Sequence, residues 1–299
     1  MSAREDVAVS KLQLDLCLLG APTLSSSAGQ LPVSPSALTL CAYLALAPGY
    51  ERSREVAAAH LYADSPVPAA RRRLSTAIWR LRTEVRDIAG VDLVTTAARN
   101  RVGLSSAVQV SVDATTFEQL VSSALQRPPA DLTRADANQL ASAVDLHRGC
   151  LIEACDDEWV LADRNRLENL YLSALDHLIV FHGAQGSPSA VSRFGELALA
   201  LEPLREDIHR HLMTAYAING RDDLVERQFE RCRRTLLEEL GADPMPETIA
   251  LYSRLRCPDR TAAAPPLAAL VADLERARRD VGRLAAIVER ALDHLRHLA

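Results

Sequence analysis

Leu178, His182, Gly186 and Val191 recur thirty-four residues later as Leu212, Tyr216, Gly220 and Val225. This is the period of a helix–turn–helix repeat, with glycine at the tight turn inside each pair. One such pair cannot bury its apolar face alone, so the repeat commits the flanking chain to neighbouring pairs. Helical patterning runs from about Val112 onward. Thr133-x-x-Asp136 has the form of a capping box ahead of Leu140 and Val144. The back half reads as an all-α repeat bundle.

Charge divides the chain of 299 residues in the same place. Residues 1–111 carry a net charge of +3, and the remainder carries −8. Such asymmetry predicts two domains with different partners, and the length allows each its own core. No run approaches the roughly 18 consecutive apolar residues of a membrane span, and the N-terminus is too polar for a signal peptide. The six cysteines lack the paired spacing of a zinc site. The expectation is a soluble cytoplasmic chain with buried or incidental thiols, no metal and no membrane partner.

In the front half, Leu12, Leu14, Leu16 and Leu18 alternate with Gln13, Asp15 and Cys17, the period of a half-buried strand. Gly20, Pro22 and Gly29 punctuate turns around one or two further strands. Ser34-Pro35 opens an apolar helix through about Leu46, ended by Pro48-Gly49. Ser53 caps a second helix from Arg54 to about Tyr62. Pro68 enters a third. Its stretch 69–82 holds five arginines and no acid. Leu74, Ala77, Ile78, Leu81 and Val85 form its buried stripe, and Arg72, Ser75, Thr76, Trp79 and Arg80 gather opposite. Two short β runs follow, Asp92–Thr96 and Arg101–Leu104, joined by a tip carrying Arg99. A small sheet, three helices and a hairpin make the plan of a winged helix-turn-helix.

An arginine cluster is more often a solvated face than a ligand site, but the position of this one favours a polyanion groove. Arg72, Arg73, Ser75 and Thr76 are placed near the helix N-terminus to reach base edges. Arg71, Arg80 and Arg82 fit phosphate or core-supporting roles. Trp79 suits either packing on sugar-phosphate or sealing the helix to the wing, and Arg99 and Arg101 are wing contacts or part of a solvated hairpin.

Asp156-Asp157-Glu158 before Trp159 reads as an acidic helix start rather than a carboxylate site. His177, His182, His209 and His211 lack metal-ligand spacing. No phosphate-binding, dinucleotide-binding or nucleophile-elbow motif occurs, so neither an enzyme nor a cofactor is expected. Residues 258–266 form an Ala/Pro-rich linker. Beyond it every a and d position over five heptads is apolar, from Leu267 and Leu270 to Leu295 and Leu298. This C-terminal helix either self-associates as a coiled coil or docks back on the bundle through the broader stripe of Val271, Ile287 and Leu292.

Across residues 12–256 the chain resembles the Streptomyces antibiotic regulatory protein family of transcriptional activators. The front part is similar to an OmpR-type winged helix through Leu18-Leu19-Gly20, Ser53-Arg54-Glu55, Leu61-Tyr62 and Thr76-Ala77-Ile78-Trp79-Arg80-Leu81-Arg82. The back part resembles that family's bacterial transcriptional activation domain through Pro203-Leu204-Arg205-Glu206-Asp207-Ile208-His209, Glu238-Glu239-Leu240-Gly241-Ala242-Asp243-Pro244 and Pro246-Glu247-Thr248. Tyr62 stands where relatives often have Trp, and Ser75 where many carry a basic residue, which predicts a different base preference.

The expected architecture is thus an α+β winged helix-turn-helix (1–111), an all-α tetratricopeptide-like activation domain (112–257), the linker (258–266) and a heptad-patterned helix (267–299). The resemblance implies an activator of a secondary-metabolite or antibiotic gene cluster. Such a protein binds double-stranded promoter DNA at direct repeats, as a homodimer or higher assembly. It recruits RNA polymerase holoenzyme through the sigma and core subunits, at the nucleoid. A repressor or accessory regulator, or a repeat-based interaction scaffold, are the alternative readings.

Overall fold

The computed structural model describes residues 12–96, 100–153 and 155–256. The leucine alternation forms β1 (Leu12–Cys17), with Leu14 and Leu16 buried and Gln13 and Asp15 on the open face. β2 (Thr23–Ser26) and β3 (Gly29–Gln30) pair antiparallel beside it. The other edge of β1 pairs in parallel with a later strand, Leu12 opposite Val108 through Leu16 opposite Val112. The sequence reading had no strand there. Its pattern, VQVSV, runs straight into a helix, and its partner lies almost a hundred residues upstream, so no local turn announces it.

The first helix, α1 (Pro35–Ala45), starts on a proline and is buried over most of its length. A 3-10 turn at Pro48–Tyr50 leads into β4 (Glu51–Ser53), then α2 (Arg54–Leu61), where the Ser53 hydroxyl accepts the Glu55 N–H at 3.3 Å. α3 (Val67–Ala89) runs 23 residues, about two and a half turns more than its arginine stretch, until Gly90 closes it at φ 70°. The β runs after it form β5 (Val94–Thr95) and β6 (Arg101–Leu104). β6 pairs with β5 and also with β4, so the wing is three-stranded, in the order β4-β6-β5.

β7 (Val108–Val112) leads into the helices α4 (Asp113–Ala124), α5 (Arg134–Leu146), α6 (Glu158–Ala184), α7 (Pro188–Leu201), α8 (Glu206–Ile218) and α9 (Asp222–Leu240). The capping box at Thr133 and Asp136 is present, with both reciprocal bonds. The 34-residue echo is conformational as well as chemical. Gly186 and Gly220 close α6 and α8 at φ 64° and 68°. In each copy the next N–H returns to the echoed carbonyl, Ser187 to His182 and Arg221 to Tyr216, both at 2.9 Å. Leu178, Leu212, Val191 and Val225 are buried.

One apolar core runs from β1 through α8. The helical half is also stitched to the front sheet by backbone bonds, from Gly20 N–H to Cys150 and from Ile152 N–H to Leu18, at 3.0 and 2.7 Å. The Asp113 carboxylate accepts the N–H groups of Leu18 and Leu19 at 2.7 and 3.1 Å. The Tyr43 and Trp159 rings stand perpendicular with their centroids 5.1 Å apart. The described residues up to Asp243 form one compact unit, and α10 (Pro246–Arg256) belongs to a second. The heptads at 267–299, the linker, Cys257 and Arg99 lie outside the described residues.

Candidate nucleic-acid interface

Leu74, Ala77, Ile78, Leu81 and Val85 are buried, so α3 turns one fixed face outward. Helical rotation puts Arg72, Thr76 and Trp79 along its outer crest, with Thr83 one turn further on. Trp79 is 63% exposed, which leaves its ring free of the sealing role. Arg72 makes no hydrogen bond or ion pair through its side chain among the described residues, unlike the other four arginines of the stretch.

Those four flank the crest. On the wing side Arg71 pairs with Glu55 at 3.2 Å. Arg82 is half-buried and reaches the Val94 carbonyl of β5 at 3.4 Å, which ties the helix to the wing. On the other side Arg73 lies over the Tyr62 ring at 4.4 Å and donates to the Ser65 hydroxyl at 2.8 Å. Arg80 donates to Ser36 of α1 at 3.3 Å. The structure therefore separates the four residues assigned to base edges. Arg72 and Thr76 stand on the crest, whereas Arg73 is drawn to the α2–α3 turn. Ser75 is occupied, accepting from Arg54 at 2.9 Å and donating to the Arg71 carbonyl at 2.9 Å.

Arg54, quoted from sequence only within the Ser53-Arg54-Glu55 motif, was not assigned to DNA, yet it joins three elements. Its side chain bonds Ser75 of α3, and its N–H donates to Asn100 of the wing turn at 2.9 Å. A small cleft lined by Arg54, Arg71, Ser75 and Asn100 lies between helix and wing. The signals in the sequence were its place beside the Ser53 cap and its membership of that motif. Arg101 on β6 pairs with Glu51 across the strands at 2.9 Å, so its charge is partly neutralised. The Tyr62 hydroxyl has its pKa raised by burial, against the pull of Arg73 and Arg80. Apart from Glu51 and Glu55, the charged residues named on these surfaces are arginines. The arrangement concentrates positive charge around an open, hydrogen-bonding helix face.

Residues 112–256 match the family model for the bacterial transcriptional activator domain. A 60-residue stretch is 35% identical to the transcriptional regulatory protein MoaR1 of Mycobacterium tuberculosis and of Mycobacterium bovis. It covers 20% of this chain and 19% of each relative. The fold matches that of Mycobacterium tuberculosis EmbR, solved in complex with a low-affinity phosphopeptide, with a TM-score of 0.63 at 23% identity. That match covers 82% of this chain and 65% of the EmbR chain. Residues 112–256 therefore carry a bacterial transcriptional activator domain, in a chain that has the fold of EmbR. Among the described residues no helix is long and apolar enough to cross a membrane.

Proposed function

We propose that this chain is a transcriptional regulator of the Streptomyces antibiotic regulatory protein type, a sequence-specific activator that lays α3 in the major groove of promoter DNA. In this reading Arg72 and Thr76 contact base edges, and Trp79 rests on the sugar-phosphate backbone. Arg54, Arg71, Arg73, Arg80, Arg82, Arg99 and Arg101 neutralise or frame phosphates. The observation that carries it is the unpaired Arg72 on the crest of an arginine-flanked helix whose other face is locked in the core. Arginine is suited to a bidentate bond with guanine O6 and N7, and the Thr76 methyl to contact with thymine.

The division at residues 111 and 112 then separates the half that selects the promoter from the half that meets RNA polymerase holoenzyme. Direct repeats require at least two protomers, and the heptads at 267–299 supply a means of pairing them through the 258–266 linker. The regulated genes belong, in this reading, to a secondary-metabolite cluster, and the protein works at the nucleoid. Footprinting of the intact chain on its own upstream regions tests the proposal. Two or more protected sites in direct repeat, with transcription by purified polymerase raised on that template, are expected. Uniform binding to unrelated duplexes would overturn it.

A further inference from the structure

A second polar surface lies in the helical half, outside the candidate DNA interface. A cleft of about 340 Å³ opens between the start of α5, the end of α6 and the lead into α7. Leu132 and Phe181 line it with apolar surface, and its polar groups are Arg134, Asn138, His182, Gln185 and Ser187. Each of those five side chains has a hydrogen-bond donor to offer, and no carboxylate lines the cleft. The carboxylate in the first turn of α5, Asp136, is taken up by Thr133 and Arg127.

Several features leave this donor set unspent. The Arg134 guanidinium has no ion pair among the described residues. Ser187 occupies the cap position of α7, but its hydroxyl makes no capping bond. The α6 C-terminus would ordinarily present carbonyl oxygens that repel an anion. Here the Phe181 and His182 carbonyls already accept the N–H groups of Gln185 and Ser187, at 3.0 and 2.9 Å. The His182 ring is fixed against Phe194 in a stack of 5.6 Å and edge-on to Phe181 at 5.2 Å. Burial lowers the His182 pKa and the charge of Arg134 lowers it further, so a neutral imidazole stands beside the Arg134 cation with no carboxylate in the cleft lining.

We infer that this cleft binds a small organic phosphate. Arg134, Ser187 and the two amides hold the phosphoryl oxygens, and Leu132 and Phe181 bear on the apolar part of the ester. Donors drawn from three separate elements suit a group with three exposed oxygens better than a flat carboxylate with two. Apolar surface beside the donors favours an ester over the free ion. His182 reports occupancy, because an anion beside it favours its charged form. The other titratable groups facing it are Arg134 from α5 and His211 from α8, which lines the adjoining surface.

The test is a titration of the intact chain with phenyl phosphate, inorganic phosphate and benzoate, followed through the His182 imidazole NMR signals. Assignment rests on His182→Gln. Phenyl phosphate is expected to shift those signals and to bind at least fivefold more tightly than either other probe. Arg134→Ala is expected to weaken it at least tenfold and Ser187→Ala about threefold, with the thermal midpoint and DNA affinity unchanged. No shift with any probe, or equal binding by Arg134→Ala, overturns the site. Inorganic phosphate binding as tightly as the ester, or benzoate binding more tightly, overturns the ligand class.

Discussion

Arg72 and Arg80 stand two turns apart on α3 and meet different surroundings. Arg80 shares a hydrogen bond with Ser36 and sits on the flank, whereas Arg72 is unpartnered on the crest. A phosphate contact contributes to binding on every sequence, while a base contact discriminates by about 1–3 kcal/mol per good bidentate pair. Arg72→Ala is therefore expected to narrow the gap between cognate and random duplex by about tenfold or more. Arg80→Ala should weaken both duplexes alike and flatten the salt dependence. Binding isotherms at two salt concentrations on both duplexes decide it, and parallel losses in the two variants would remove the distinction. Inside the helical half, His209 is 1% exposed. Its Nε2 is 3.1 Å from the Pro203 carbonyl and its Nδ1 2.7 Å from the Gln228 amide nitrogen. Nε2–H then donates and Nδ1 accepts, which requires the neutral ring. Burial accordingly lowers its pKa below the ordinary 6.5. The unfolded chain takes up the proton first, so the stability this group supplies is complete above about pH 6.5 and declines as the pH falls toward its folded pKa. NMR titration should find His209 neutral below pH 6.5, with the thermal midpoint starting to fall over that range. A ring that titrates at 6.5 or above would refute this account.

At the scale of elements, what the chain discloses follows from the distance over which each signal acts. The α3 stripe, the Ser53 cap, the capping box at Thr133 and the glycine turns at Gly186 and Gly220 are local, and all are legible in order of residues. β7 and the third wing strand, β4, are not. Glu51–Ser53 is three residues long and acquires its strand character only by pairing with β6, some fifty residues later. The same limit applies to the candidate site. The exposure of Arg72 and Thr76 follows from helical period, but the capture of Arg73 by Tyr62 and Ser65 depends on how α2 meets α3. The joining role of Arg54 depends likewise on the wing. β4 also explains why Gly103 is glycine. A Cβ there would lie 2.8 Å from the Glu51 Cβ and 3.0 Å from the Tyr50 carbonyl. Gly103→Val is expected to part β4 from β6, move the Asn100 turn off the Arg54 N–H, and weaken DNA binding severalfold. The helical half, remote from this pairing, should keep its amide-exchange protection. Unchanged affinity would mean that the wing contributes little to binding. In the repeat, Gly220→Ala forces a left-handed conformation on an ordinary residue and should cost about 1–2 kcal/mol in denaturant unfolding.

Across the whole molecule, the front sheet and the helical half share hydrogen bonds as well as apolar surface. β7 belongs to the front sheet by its pairing, yet it continues directly into α4, whose first residue, Asp113, caps the end of β1. A charged acceptor receiving two backbone N–H groups is a strong link, since its removal leaves both donors without a partner in a partly buried place. The Leu19–Leu151 bridge and the Tyr43–Trp159 contact act alongside it. With these links the two halves should unfold together rather than as beads on a string, despite their different charges and the different partners proposed for them. Calorimetry on the intact chain is expected to show one transition covering both halves. Asp113→Ala should lower it by about 3 kcal/mol while keeping it single, the loss arising from two charge-assisted bonds. Hydrogen exchange then supplies the decisive comparison. Amides of α1 and α3 in front and of α6 and α8 behind should lose protection together in that variant. If α1 and α3 alone became labile while α6 and α8 kept wild-type exchange, the seam would be only a contact between independent domains. Under the proposed function, polymerase bound to the helical half would then have no mechanical purchase on the helix proposed to read DNA.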